Sequence, residues 1–172
     1  MLIRRETPAD LDAIDLVHRM AFEPEQPGTE PAEVGLVRAL RGDAAWIEAL
    51  SLVAEGPDGD VVGHVVCSAG SLGRWPAVGL GPIGVLPDRQ SHGFGSALMH
   101  AVLGAADALD HAVVVLLGHL DYYPRFGFVP ARSIGIEPTD PGWADHFQAR
   151  PLGAWSPEVR GTFRYATPFD SL

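Results

Sequence analysis

Gly93 and Gly95, two residues apart in Gln90-Ser91-His92-Gly93-Phe94-Gly95, stand where a short apolar run gives way to a helical pattern. Residues of this kind at such a junction bind anions. The first N–H groups of a helix have no partner within it, and the helix dipole places partial positive charge there. Glycine removes the side chains that would hold an anion's oxygens away from those amides. Further along, Tyr122-Tyr123-Pro124-Arg125-Phe126-Gly127-Phe128 brings two phenolic side chains into one short motif, of which Tyr122 reads as a packing or substrate-side residue.

The elements that position these residues are legible on either side. Phe94, Ala97, Leu98, Ala101, Val102 and Ala105 recur at helical spacing and predict a buried face, with His92, Ser96, His100 and Asp107 directed elsewhere. The segment His111 to Leu117 is β-branched without alternation, which predicts a fully buried strand. Gly127, between two phenylalanines, predicts a positive-φ turn. A P-loop is excluded because Ser96-Ala97 follows Gly95 with no lysine. A dinucleotide fingerprint is disfavoured because Leu98 stands at the third glycine position and Asp110 precedes the next strand.

The spacing V-x-P-x-x-[QR]-x-x-G-x-[GA] is met by Val85, Pro87, Gln90, Gly93 and Gly95, and this resembles the acetyl-CoA signature of the GNAT N-acetyltransferase superfamily. Together with Tyr122 to Phe128, the match looks like the YhbS-like predicted acetyltransferases, strongest from Ser51 to Pro130. The resemblance implies an α/β, single-domain GNAT fold. Its central sheet is mixed and mostly antiparallel, of six to seven strands flanked by helices, with a bulged fourth strand splayed from the fifth. It implies acetyl-CoA as cosubstrate without a metal. Its diphosphate would be held by the backbone of Gln90, Ser91, His92, Gly93, Phe94 and Gly95 with the Ser96 hydroxyl, and its pantetheine would lie along Ile83, Gly84 and Val85. His92 stands where many relatives carry Lys or Arg. Tyr123 would serve as general acid toward the departing thiolate and the Val85 amide as oxyanion donor. A small-molecule or peptide primary amine would attack directly in a ternary complex.

Alternatives remain at this point. Tyr123 could be a buried aromatic anchor, and the chain could be an acyl-CoA-binding sensor or interaction domain without turnover, or a nucleotide-phosphate binder. Glu55, His64, Glu23 and Glu25 are candidate general bases beside a water relay. Cys67 has no evident activating partner for an acyl-cysteine route.

Composition suits one domain over residues 1–172, divided into 1–50 (a strand and two helices), 51–130 (the cofactor core) and 131–172 (a Pro-rich end). A single cysteine permits no intrachain disulfide and predicts a reducing, cytoplasmic setting, and the charged start is unlike a signal peptide. Twenty-two acidic residues against 12 basic ones, all arginine, give a net charge of −10. That surface disfavours nucleic acid and membrane and suits a cationic acceptor, or merely maintains solubility. The lack of lysine suggests a high-GC bacterial source, and the state is expected to be monomer or homodimer.

Elsewhere, Leu2 to Arg5 predicts a strand, and Thr7-Pro8-Ala9-Asp10 a helix start leading to a buried stripe of Leu11, Ile14, Val17 and Ala21. A loop follows from Phe22 to Pro31 and a second helix from Ala32 to Leu40. Ser51 to Glu55 and Val61 to Cys67 predict a hairpin across Gly56-Pro57-Asp58-Gly59-Asp60. Glycines 79, 81 and 84 with Pro82 predict irregular pairing in the fourth strand. In the tail, Thr162 to Thr167 predicts a strand, and Trp143, Phe147 and Trp155 either close the acceptor pocket or pack the tail on the sheet.

Overall fold

Seven strands build the main sheet of the computed structural model, which describes residues 1–171. They are β1 (Leu2–Arg5), β2 (Ser51–Glu55), β3 (Val61–Leu72), β4 (Trp75–Val85), β5 (Val113–Leu117), β6 (Val129–Pro130) and β8 (Phe147–Pro151), in the order β1-β2-β3-β4-β5-β8-β6. Every pair is antiparallel except β4 beside β5. A small parallel pair, β7 (Ile136–Pro138) with β9 (Gly161–Phe163), lies apart. The helices are α1 (Leu11–Ala21), α2 (Ala32–Arg41) and α3 (Phe94–Ala108), none long and apolar enough to cross a membrane.

Alternation along the strands sorts the helices to opposite faces. Leu52, Ala54, Val65 and Cys67 pack with Leu98 and Val102 of α3, whereas Val53 and Val66 pack with Ile14 of α1 and Val37 and Leu40 of α2. The buried stripe of α3 is turned from the expected one: Met99, Leu103 and Ala106 are buried, while Ala97, Ala101 and Ala105 are half-buried. In α1, Leu11 is exposed and His18 is buried in the stripe instead. Strong apolar character on both sides of a helix makes the axis of burial ambiguous until the sheet is in place.

The mixed sheet and its splay agree with the expectation. β4 pairs with β5 only from Ala77 opposite Val113 to Gly79 opposite Val115, and then the two strands part. β4 stays with β3, whose register steps between Val65 and Cys67 so that Gly81 and Pro82 together face Val66. This bulge is confined to those two residues. Gly79 and Gly84 lie in regular pairing, and each clears space for a side chain above it: a Cβ at Gly79 would stand 2.5 Å from Tyr165 Cδ1, and one at Gly84 would stand 3.1 Å from His18 Nδ1.

The tail departs most from expectation. Phe147–Pro151 forms β8 and inserts between β5 and β6, a strand that the prolines and polar residues around it conceal. The strand expected over Thr162 to Thr167 is limited to Gly161–Phe163 and pairs with β7, outside the main sheet. Phe147 is buried, Trp155 packs on the same cluster and Trp143 lies edge-on to Tyr165, so these aromatics anchor the tail.

Candidate active site

The splay leaves one edge of β4 without a strand partner, and the hydrogen-bond phase decides which groups line it. Leu86 N–H donates to Val62 O at 2.9 Å, which places Gly84 in the next hydrogen-bonded pair, opposite His64. By antiparallel alternation, the N–H and C=O of Ile83 and Val85 point away from β3, into the slot that β5 has vacated. Gln90 Nε2 donates to Val85 O at 3.2 Å. The signature glutamine thus satisfies the Val85 carbonyl and leaves its amide free.

At the end of the slot the chain turns twice through left-handed conformation, at Ser91 (φ 63°) and Gly93 (φ 87°), before α3 begins. The first helical bond runs from Ala97 N–H to Gly93 O at 2.9 Å. Among the described residues, the amides from Ser91 to Ser96 have no acceptor within the chain. A cavity of about 580 Å³ joins this cradle to the slot. Ile83, Gly84 and Val85 line one side, and Gln90, Ser91, Gly93, Gly95 and Ser96 the other. The side chains of His92 and Phe94 do not line it: His92 is exposed, its Nδ1–H donating to Gln90 O at 2.7 Å, and Phe94 is buried in the core. Arg125 lines the cavity instead, held by Nε–H donating to Tyr122 O at 2.8 Å and stacked over the Tyr122 ring. Sequence reasoning had no site role for it, although it stands within the tyrosine motif and brings a cation to the cavity, which the His92 side chain does not line.

Tyr122 and Tyr123 close the cavity, ring against ring at 87°. Tyr122 lies on the cradle side, its hydroxyl 3.3 Å from where a Gly95 Cβ would be. Tyr123 belongs to two cavities, for a second one of about 230 Å³ opens beyond it, and Ile83 and Tyr123 line both. Burial, and then the neighbouring Tyr122, push the Tyr123 phenol above its ordinary range, so the oxygen keeps its proton at neutral pH. Phe22, Leu36, Leu80 and Leu117 wall the second cavity, Tyr165 and Phe169 of the tail cover it, and Glu33 from the first turn of α2 also lines it. Tyr165, Phe169 and Glu33 were missed in the sequence. An acid in a first helical turn is readable, but its facing a cavity is not.

None of the four candidate bases lines either cavity. Glu55 is held by Arg4 Nε at 2.6 Å, and Glu23 and Glu25 are exposed. His64 is wholly buried in a chain of hydrogen bonds whose directions are dictated by its carboxylate end. Ser51 Oγ–H donates to Glu6 Oε2 at 2.5 Å, so His64 Nε2–H donates to Ser51 Oγ at 2.9 Å, and His18 Nε2–H donates to His64 Nδ1 at 2.7 Å. His18 Nδ1 is left as a buried lone pair without a partner, beside Gly84. Burial drives the pKa of His18 down to about 3, and that of His64 is also lowered by burial. Burial would raise Glu6, yet hydrogen bonds from His64, Arg41 and Ser51 prevail and bring it to about 2. Cys67 is buried with its thiol pushed up by burial, far from nucleophilic form.

Known proteins resemble this chain in sequence and in fold. The chain is similar to an N-acetyltransferase of Escherichia coli K12, the uncharacterized YjhQ, with 33% identity over 102 residues. That match covers 57% of this chain and 56% of YjhQ, so the alignment spans about half of that relative's length. In structure it is similar to the Escherichia coli GNAT family N-acetyltransferase YhbS in complex with CoA, with TM-score 0.88 and 31% identity over 98% of this chain and 91% of that one. It is likewise similar to a GNAT family acetyltransferase of Brucella melitensis in complex with acetyl-CoA, with TM-score 0.78 and 36% identity over 98% and 97% of the two chains. Residues 15–128 match the acetyltransferase (GNAT) family as a whole, and with the splayed strand and the open helix terminus in place, the chain belongs to that family.

Proposed function

We propose that this chain is an N-acetyltransferase that moves an acetyl group from acetyl-CoA to a primary amine by direct attack. The observation that carries the reading is the meeting of the two cavities at Ile83 and Tyr123, one running to an open amide cradle and the other lined by apolar side chains and a carboxylate. The CoA and acetyl-CoA held by the two bacterial relatives support the choice of cosubstrate.

In this reading the amides from Ser91 to Ser96 hold the diphosphate, as a helix terminus holds anions, and Arg125 adds a cation at the same cavity. The carbonyl and amide of Ile83 and the amide of Val85 align the pantetheine arm like an added strand. Val85 N–H donates to the thioester carbonyl oxygen as negative charge builds there. The amine, having given one proton to solvent through a water relay, forms the N–C bond with its lone pair. The C–S bond breaks with its electrons passing to sulfur, and nitrogen then releases a second proton by the same relay. Tyr123 faces the departing sulfur. With its phenol raised above the usual range and a thiol near 8.5, Tyr123 stabilises the thiolate by donating a hydrogen bond rather than by surrendering its proton.

Direct attack is favoured over an acyl-cysteine because the Cys67 thiol is buried and lines neither cavity. Calorimetry with CoA and acetyl-CoA, followed by thiol release across an amine panel, tests the proposal. Micromolar binding with amine-dependent thiol release is expected. Stabilisation by CoA without thiol release from any amine would turn the reading toward a sensor, and absence of binding at millimolar CoA would end it.

A further inference from the structure

The second cavity differs from the first in chemistry, and that difference bears on the acceptor. Its walls are aliphatic and aromatic, and Glu33 is the one charged side chain among the residues that line it. Among the described residues, no arginine or histidine lines it. Glu33 forms no salt bridge or hydrogen bond among the described residues, whereas its neighbour Glu30 is engaged by both Arg19 at 2.6 Å and Arg38 at 2.8 Å. Arg38 is committed further to Asp15 at 2.6 Å. Arg41 is held by Glu6 at 2.7 Å, so the arginines nearest Glu33 in sequence are occupied. A lone carboxylate at the first turn of α2, where the helix dipole favours negative charge, lines an otherwise apolar chamber.

We infer that the acceptor is a small monoamine on an apolar body, an arylalkylamine or branched alkylamine, whose nitrogen enters as an ammonium paired with Glu33 and gives one proton to solvent before it attacks, while its ring or alkyl group fills the space between Phe22, Leu36 and Phe169. The inference rests on the acetyl-transfer reading of the adjoining slot. Three features of the chamber select this class. Free amino acids and other carboxylate-bearing amines bring an anion that finds no cation there and meets Glu33 instead, an unpaired charge in an apolar surround. Polyamines bring a second ammonium for which no second carboxylate is present, again at a desolvation cost. Size sets the upper bound: about 230 Å³ is below the ~300 Å³ at which drug-sized pockets begin, enough for one ring and a short arm. The net charge of −10 draws a cation toward the mouth in the same sense.

Glu33 in this account is a specificity residue that touches the substrate. Thiol release is measured with acetyl-CoA and a matched series of phenethylamine, isoamylamine, phenylalanine, spermidine and an alanine-initiated tripeptide, beside calorimetric titration of CoA into the same protein. Phenethylamine or isoamylamine is expected to exceed phenylalanine and spermidine by at least 100-fold in kcat/KM. Glu33→Gln is expected to raise the KM for that amine by 10- to 100-fold while leaving CoA affinity and the KM for acetyl-CoA within twofold. Leu36→Asp, a second charge in the wall, should narrow the preference of phenethylamine over spermidine by at least tenfold. Failure of CoA to bind the wild-type chain would overturn the acetyl-transfer reading itself. If CoA binds, then preference for phenylalanine, spermidine or the tripeptide, an unaltered amine KM in Glu33→Gln, or inertness of all monoamines would overturn the inference alone.

Discussion

Lowering the pH from 8 to 5 should destabilise this protein through a pair of histidines that the fold keeps neutral. His18 is fully buried with its pKa held near 3, against about 6.5 for an unfolded chain. A folded-state value below the unfolded one means that only the unfolded chain takes up the proton as pH falls through 6.5. Stability is therefore whole above pH 6.5 and drains away as pH falls toward 3. At pH 5 the unfolded imidazole is almost entirely protonated and the folded one is not, which costs about 2 kcal/mol relative to pH 8. His64, lowered by its own burial, adds to the loss with the same sign, and half-buried His111 adds a smaller share. Glu6 enters later. Its folded value of about 2 against an ordinary 4.5 means that its contribution is complete above pH 4.5 and is lost as pH falls from there toward 2. Urea unfolding at constant ionic strength at pH 8, 7, 6 and 5 reads the slope, and carbon-13 shifts of the imidazole rings read the folded titration. A free energy that stays level between pH 8 and 5, or a His18 ring that titrates near 6.5 in the folded state, would refute the claim that burial keeps this pair neutral.

Other perturbations test the site and its supports. Gly93→Glu places a side chain on backbone at φ 87° and an anion in the cradle; a stability cost of ~1–2 kcal/mol and a fall in CoA affinity of at least 100-fold by calorimetry are expected. Tyr123→Phe should lower kcat about 3- to 30-fold with little change in the KM for acetyl-CoA, and identical kinetics would return the hydroxyl to a packing role. Gly79→Ala must displace Tyr165, and a fall of ~1–3 kcal/mol in unfolding free energy is expected together with a raised KM for the amine, because Tyr165 covers the second cavity. Cys67 should resist thiol reagents in the native state and react at once in urea; rapid native labelling would contradict its burial.

The parts of the site that could be read from the chain are those made by neighbours in sequence. Strand, Gln90, the glycine turn and the start of α3 are contiguous, so spacing and residue type suffice to locate the cradle, and the hairpin of β2 and β3 follows from its turn residues in the same way. Tyr123 is reached by a short segment from β5 and was likewise legible. The tail was not. β8 enters the sheet between two strands that precede it in sequence, and nothing local to Phe147–Pro151 records which edge it joins. Glycines 79 and 84 look alike in sequence with Gly81, yet only Gly81 lies in the bulge, while the others give way to Tyr165 and His18.

Residue order along one strand, turn and helix therefore determined that this chain leaves open amides at a helix terminus with a tyrosine near them, because those groups are positioned by local backbone geometry. Tertiary structure alone decided the rest. The splay after Gly79 opens the slot, the hydrogen-bond phase of β4 turns the Val85 amide into it, and the packing of α2 and the tail brings Glu33, Tyr165 and Phe169 to one chamber. It also set His64 against Glu6 and His18, in the core behind Gly84 and outside the lining of either cavity, where the sequence alone had left open whether it faced core or cleft. Those relations join residues 46 or more positions apart, and they are fixed by sheet register and helix packing, for which no local pattern carries a signal.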